Sequence, residues 1–151
     1  MQRACISGIG VEIPPSVITN EQLVASFNAW VDAENARREG TGAEPLSKSD
    51  VDFIVYASGV KERHVYQPDG DLDPERMAPR IPARGDDEIS VMAEFGVAAA
   101  RKAIADAGLD ASEIDMVICS ASHQQRPYPA MAIEIQQALG TQDAIIINPG
   151  A

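Results

Sequence analysis

Apolar residues along this 151-residue chain fall into short runs and helical stripes, separated by polar stretches rich in glycine and proline. The pattern is most regular from Gly108 to Ala151. Two runs there, Met116–Cys119 and Ala144–Ile147, have strand length and no polar alternation, which predicts strands covered on both faces. Between them lies an amphipathic helical stretch that stops at Gly140. Strand, helix and strand at this spacing predict a βαβ unit and a parallel strand pair. Ligands of open α/β sheets gather at the carboxyl ends of strands. Those ends are Ser120–Tyr128 and Asn148–Ala151.

Upstream, residues 4–11 (ACISGIGV) predict a first strand in which Gly8 and Gly10 let another backbone or a ligand approach closely. A dinucleotide fingerprint is incomplete here, because the third glycine is missing and Pro14-Pro15 follows. Thr19, with Gln22 three residues later, predicts a capped helix start, continued by Leu23, Val24, Phe27, Trp30 and Val31. Trp30 reads as a packing residue of that face, with ligand stacking as the alternative. Residues 32–49 are polar, with Gly40, Gly42 and Pro45, and predict a helix end and then a long excursion, either a functional flap or a mobile insertion. Residues 50–57 predict a helix, Ser58-Gly59 a turn, and 60–66 a strand or extended arm. Residues 67–84 read as loop, in which Arg76, Arg80 and Arg84, four apart, are read as solvated charges, with a local basic face as the alternative. Asp86, Asp87 and Glu88 predict the first turn of a small-faced helix over 89–107, capped by Gly108.

Charge narrows the function classes. A net charge of −11 leaves no basic patch to displace the counterions of nucleic acid, and it disfavours anionic membrane surfaces. No apolar run approaches the roughly 18–20 residues of a membrane span. The start, MQRACISGIG, lacks the apolar core of a signal peptide, so a cytoplasmic location is expected. Cys5 and Cys119 sit in apolar runs and are expected to be reduced, buried thiols. Together with His64 and His123 they show no metal-ligand spacing, and no GxSxG elbow occurs. His123, at a strand end, is the best-placed titratable group, with a loop histidine bonded to backbone as the plainer reading. Residue chemistry alone therefore reaches an α/β domain with a site at its strand ends.

Four segments, in order, carry a resemblance: SGIGVEIPPSVITNEQL, DFIVYASGVKERHV, the alanine-rich helix with AGLDASEIDMVICSAS, and YPAMAIEIQQALG. Together they resemble the N-terminal half of the β-ketoacyl-acyl-carrier-protein synthase III family of the thiolase superfamily. The fourth, with its flanking QRPYP, is most similar to the larger β-ketodecanoyl-type relatives. The resemblance implies a thiolase-like α/β fold: residues 1–151 as the N-terminal half of a layered αβαβα architecture with a mainly parallel sheet, with insertions near 32–48 and 67–85. It implies a condensing enzyme of fatty acid or related biosynthesis, an acyltransferase that joins an acyl primer to malonyl-acyl carrier protein by decarboxylative Claisen condensation.

The family's nucleophilic cysteine would fall immediately after Ala151, and its histidine and asparagine farther on. The resemblance thus places no catalytic residue in this chain and predicts that the chain alone is inactive. It assigns substrate contacts to Phe53, where the family often has a tryptophan stacking on the CoA adenine, to Ser58 near the pantetheine mouth, and to Tyr128. The last matches a dimer-interface residue that limits acyl-chain length in the partner's pocket; a buried interface aromatic is the plainer reading. Ala57 replaces an arginine that would contact CoA phosphates. Implied partners are an acyl carrier protein, docking through the missing half or the Lys61–His64 cluster, a complementing C-terminal half, and a second copy in a homodimer; nucleic acid and membrane are not expected. No cofactor is implied beyond acyl-CoA or carrier-protein thioester substrates. The alternative is a non-catalytic thiolase-like subunit that dimerises and shapes a pocket.

Overall fold

The computed structural model describes residues 4–141 and 143–148. The chain divides into two compact units, Pro14–Pro82 and the combination of Met1–Ile13 with Ala83–Ala151.

In the first unit, strand β1 (Ser16–Thr19) runs directly into helix α1 (Asn20–Arg38). Thr19 makes this possible. Its hydroxyl accepts the Gln22 amide at 3.3 Å while the Gln22 side chain accepts the Thr19 amide at 3.0 Å, so both ends of a capping box are closed. The helix continues to Arg38, well into the polar run read as its end, since Glu34 bonds Arg37 and Arg38 one turn on. Helix α2 (Val51–Ser58) is capped by the Asp50 carboxylate on the Phe53 amide and ends at Gly59, whose φ of +70° is left-handed. Strand β2 (Glu62–Val65) then pairs antiparallel with β1, Thr19 opposite Glu62 and Ser16 opposite Val65. Asn20, 2% exposed, sits at this junction: its amide donates to the Val60 carbonyl at 2.7 Å and its carbonyl accepts from Arg63 at 2.8 Å.

The excursion after α1 is pinned rather than loose. Asn28 pairs with both backbone groups of Ser49, at 2.9 Å each, and Asn35 with both of Leu46, at 2.7 and 3.0 Å. These asparagines are seven residues apart, two helical turns, so they stand on one face of α1 and lay residues 46–49 along it. Trp30 packs on Phe27, ring centroids 5.8 Å apart. In the second excursion Arg76 donates to the carbonyls of Ala78 and Pro79, and Arg80 pairs with Asp73, so these charges brace their own loop.

The second unit holds helix α3 (Val91–Ala107), a 3-10 turn (Ala111–Glu113), strand β3 (Met116–Ile118), helix α4 (Met131–Leu139) and strand β4 (Ile145–Ile147). The strands β3 and β4 pair in parallel, Met116 opposite Ile145 and Ile118 opposite Ile147, as the βαβ pattern predicts. The core joins Ala93 and Val97 of α3, Met131, Ala132 and Ile135 of α4, Val117 and Ala144. Burial of each larger side chain among these contributes about 1.5–3 kcal/mol.

Four expectations are corrected. The sheet is covered on one face, not two: Met116, Ile118, Ile145 and Ile147 are 44%, 61%, 60% and 40% exposed. Successive strand residues point to opposite faces, and the described helices lie against the Val117 side. Residues 4–11 are not a paired strand; the segment lies on α3, where a Cβ at Gly8 or Gly10 would stand 2.3 or 2.0 Å from the carbonyl oxygens of Ala103 and Ala99. The glycines therefore admit a helix backbone. Helix α3 starts at Val91 with Ser90 as N-cap, so Asp86–Glu88 precede its first turn. Cys5 is exposed, not buried, because its segment has α3 on one side only.

Candidate functional site

Helices α1 and α2 and the pinned residues 47–50 enclose a groove of about 540 Å³. Its floor is apolar: Leu23, Val24 and Phe27 come from α1, Phe53 and Ile54 from α2, and Met77 from the second excursion. This stripe of α1 is the one the sequence reads as core-facing; here it faces an open cleft. Phe53 is 61% exposed, because it stands in the first turn of α2 at the groove's edge. The polar rim is Ser47 to Asp50. Lys48 there is paired with Asp32 at 2.8 Å, and Asp50 is occupied as the α2 cap. An apolar floor with a polar rim suits an amphiphile with a flat or aliphatic part.

Ser58 ends the same helix, five residues beyond Phe53 and so about 7.5 Å along the axis and roughly 140° around it. It does not line the groove. Its hydroxyl donates to the Ile54 carbonyl at 2.7 Å and accepts the Val60 amide at 3.2 Å, bonds that close the helix end. A ligand that accepts from Ser58 has to displace the bond to Ile54, whereas a donor can use the hydroxyl's second lone pair. Of the Lys61–His64 cluster, Lys61 is exposed, Arg63 is held by Asn20, and His64 meets the Pro14 carbonyl at 3.0 Å.

Tyr128 belongs to the other unit. It lies in the loop from β3 to α4, 83% exposed, and is joined to Pro129 by a cis peptide. It is not a buried aromatic within this chain. His123 is exposed on the same loop. Cys119, at the end of β3, has its thiol pushed up by burial, which suits a packing role better than a nucleophile's. Among the described residues no three His, Cys, Asp or Glu side chains converge as metal ligands, and no helix is long and apolar enough to cross a membrane.

One cluster escaped the sequence. Glu134 of α4 is buried and accepts both the amide and the hydroxyl of Ser90, at 2.9 and 2.7 Å, with Arg126 3.6 Å away. A signal was there: Glu134 occupies a place in the stripe Met131, Ile135, Ala138 where an apolar residue is expected.

No protein-family model matches the chain. The β-ketodecanoyl-[acyl-carrier-protein] synthase of Pseudomonas aeruginosa is 46% identical over 121 residues, 78% of this chain and 35% of that one. The β-ketoacyl-[acyl-carrier-protein] synthase III of Brucella anthropi is 31% identical over 140 residues, 93% of this chain and 31% of that one. The chain is a homologue of the β-ketoacyl-[acyl-carrier-protein] synthase III enzymes. It spans about a third of the length of these curated relatives. Among solved structures, the synthase III of Aquifex aeolicus has a TM-score of 0.62 at 21% identity, covering 97% of this chain and 34% of that one. The synthase III of Pseudomonas aeruginosa has a TM-score of 0.60 at 23% identity, covering 96% and 31%. The fold of this synthase III homologue is thus the α/β thiolase type, as the four segments imply.

Proposed function

We propose that this chain is the N-terminal part of a condensing enzyme that joins an acyl primer to malonyl-acyl carrier protein by decarboxylative Claisen condensation, in fatty acid or related biosynthesis. The observation that carries this reading is the 46% identity to a β-ketodecanoyl synthase over 121 residues, a span that covers most of this chain. In the proposed reaction a thiolate accepts the acyl group from a thioester, and decarboxylation of the malonyl group then supplies the carbanion that attacks it. The nucleophile is expected at the position following Ala151, so this chain alone is inactive and its part is to hold the primer. Phe53 offers an exposed ring at the groove edge on which the adenine of a CoA primer stacks. Ser58 meets the pantetheine arm, and Tyr128 limits the acyl chain in the pocket of a second copy. Ala57, in place of an arginine, leaves CoA phosphates without one partner, which favours a primer delivered on a carrier protein. Carrier docking uses Lys61 or the remainder of the enzyme, and the reaction takes place in the cytoplasm without a resident cofactor.

The test is condensation by the full-length protein, supplied with acyl-CoA or acyl-carrier protein and malonyl-carrier protein, with the β-ketoacyl product read by mass spectrometry. A cysteine at the next position, product formation, and its loss on Cys→Ala are expected. A full-length protein without that cysteine and without product would instead be a pocket-shaping partner subunit.

A further inference from the structure

We propose that Glu134, Arg126 and Ser90 form a buried clamp that positions Tyr128 and thereby sets the acyl-chain preference of the enzyme, an inference that rests on the condensing-enzyme reading above. Tyr128 is 83% exposed, so packing within its own unit does not fix it. Its neighbours are fixed instead. Two residues earlier, Arg126 donates to the Glu88 carbonyl at 2.6 Å and approaches Glu134 at 3.6 Å, with side-chain exposures of only 15% and 6% for the pair. Gln125, one residue before that, accepts the Val91 amide at 2.9 Å. On the other side Pro129 leads into α4, which carries Glu134.

Of the four amides at the start of α3, that of Ser90 is therefore satisfied by α4, that of Val91 by this loop and that of Ala93 by the Ser90 hydroxyl. The loop is tied to the start of α3 through Gln125 and to the segment just before α3 through Arg126, and the helix that follows the loop is tied to Ser90 at the same helix start.

The charge at position 134 is the informative part. A neutral glutamine there could still accept from Ser90, and burying a carboxylate is costly unless a cation and hydrogen bonds offset it. What the charge adds is a hold on Arg126, whose side chain is 15% exposed and which lies two residues from Tyr128. Buried ion pairs are best attested as devices that select one arrangement among several. Here the arrangement selected is that of the loop leading into α4, near whose end stands exposed Tyr128, the aromatic proposed above to limit chain length. Glu134 and Arg126 are thus positioning residues, acting through Tyr128.

The experiment uses the full-length protein with Glu134→Gln, Arg126→Ala and Arg126→Lys, and Tyr128→Ala as comparator. Relative kcat/KM is measured over a ladder of acyl primers, and amide hydrogen exchange of residues 120–130 is followed by mass spectrometry. Glu134→Gln and Arg126→Ala should flatten the chain-length profile at least fivefold, in the direction Tyr128→Ala does, and should raise exchange across 120–130 about tenfold. Arg126→Lys should restore part of both. An even loss of kcat/KM across all primers, with the profile shape kept, would overturn the proposal and leave a merely structural ion pair. Should no primer be condensed, the condensing-enzyme reading fails by itself. Exchange then decides the clamp: a rise supports it, and an unchanged 120–130 segment refutes it.

Discussion

Replacing Gly10 with alanine tests the close approach on which the second unit depends. The added Cβ would lie 2.0 Å from the Ala99 carbonyl oxygen, 2.4 Å from the Ala103 amide nitrogen and 2.9 Å from the Lys102 Cβ. The first two are backbone atoms of α3, fixed by its own hydrogen-bond ladder, so the N-terminal segment must lift instead, by about 1 Å or more. Overpacking of this kind costs about 1–3 kcal/mol. Lifting also strains two anchors, the Ile9 amide on the Asp106 carboxylate at 2.9 Å and the Lys102 ammonium on the Val11 carbonyl at 3.0 Å. Both are exposed and water replaces them in part, so they add about 1 kcal/mol together. The expected destabilisation is about 2–4 kcal/mol.

Gly108→Ala is the control. Its φ of +69° is left-handed but nothing lies within 4 Å of its Cβ position, so only the conformational penalty of about 1–2 kcal/mol applies. Amide hydrogen exchange of residues 91–107 across a urea series, followed by mass spectrometry, reads both variants through α3. Trp30 fluorescence is the wrong probe, since Trp30 lies in the Pro14–Pro82 unit. A Gly10→Ala midpoint within error of wild type, or a larger loss for Gly108→Ala, would refute the packing argument.

Asn20→Ala should cost about 2–3 kcal/mol, because the Val60 carbonyl and the Arg63 guanidinium lose their partner at a buried helix start, whereas Asn20→Asp keeps the acceptor for Arg63 and should cost less; chemical denaturation compares the two. In the full-length enzyme Phe53→Ala should raise KM for acyl-CoA about tenfold with kcat little changed, in line with the loss of one stacked base; an unchanged KM would remove Phe53 from the primer site. Burial raises the Cys119 thiol, so the folded protein holds that proton longer than the unfolded chain does. Its contribution to stability is present below the ordinary thiol range and is lost as pH rises through the folded value. Alkylation mapped by mass spectrometry should therefore modify exposed Cys5 well before Cys119, and equal rates would contradict the burial.

Local chemistry was legible in the residue order. The Thr19–Gln22 capping box, the glycine stops at Gly59, Gly108 and Gly140, and the parallel pairing of β3 with β4 all depend on residues a few positions apart or on one helical connection. What misled was apolarity without direction. Four apolar residues in a row at 116–119 look covered on both sides, yet alternation leaves Met116 and Ile118 bare. Likewise Leu23, Val24 and Phe27 make the same helical stripe whether they face a core or a groove, and here they face the groove.

By itself the sequence determined the βαβ unit, the helices in outline, the Thr19–Gln22 cap, the glycine stops and the homology, because capping, turn conformation and periodicity act within one or two turns of chain. Only the tertiary structure decided that Gly8 and Gly10 receive α3, that Asn28 and Asn35 hold the excursion beside the groove, and that Glu134 finds Ser90 forty-four residues away. Each of these is a pairing across long stretches of chain. Hydrogen-bonding and steric complementarity between such distant groups leave no period in the sequence, so they become visible only when the backbone brings the partners within contact distance.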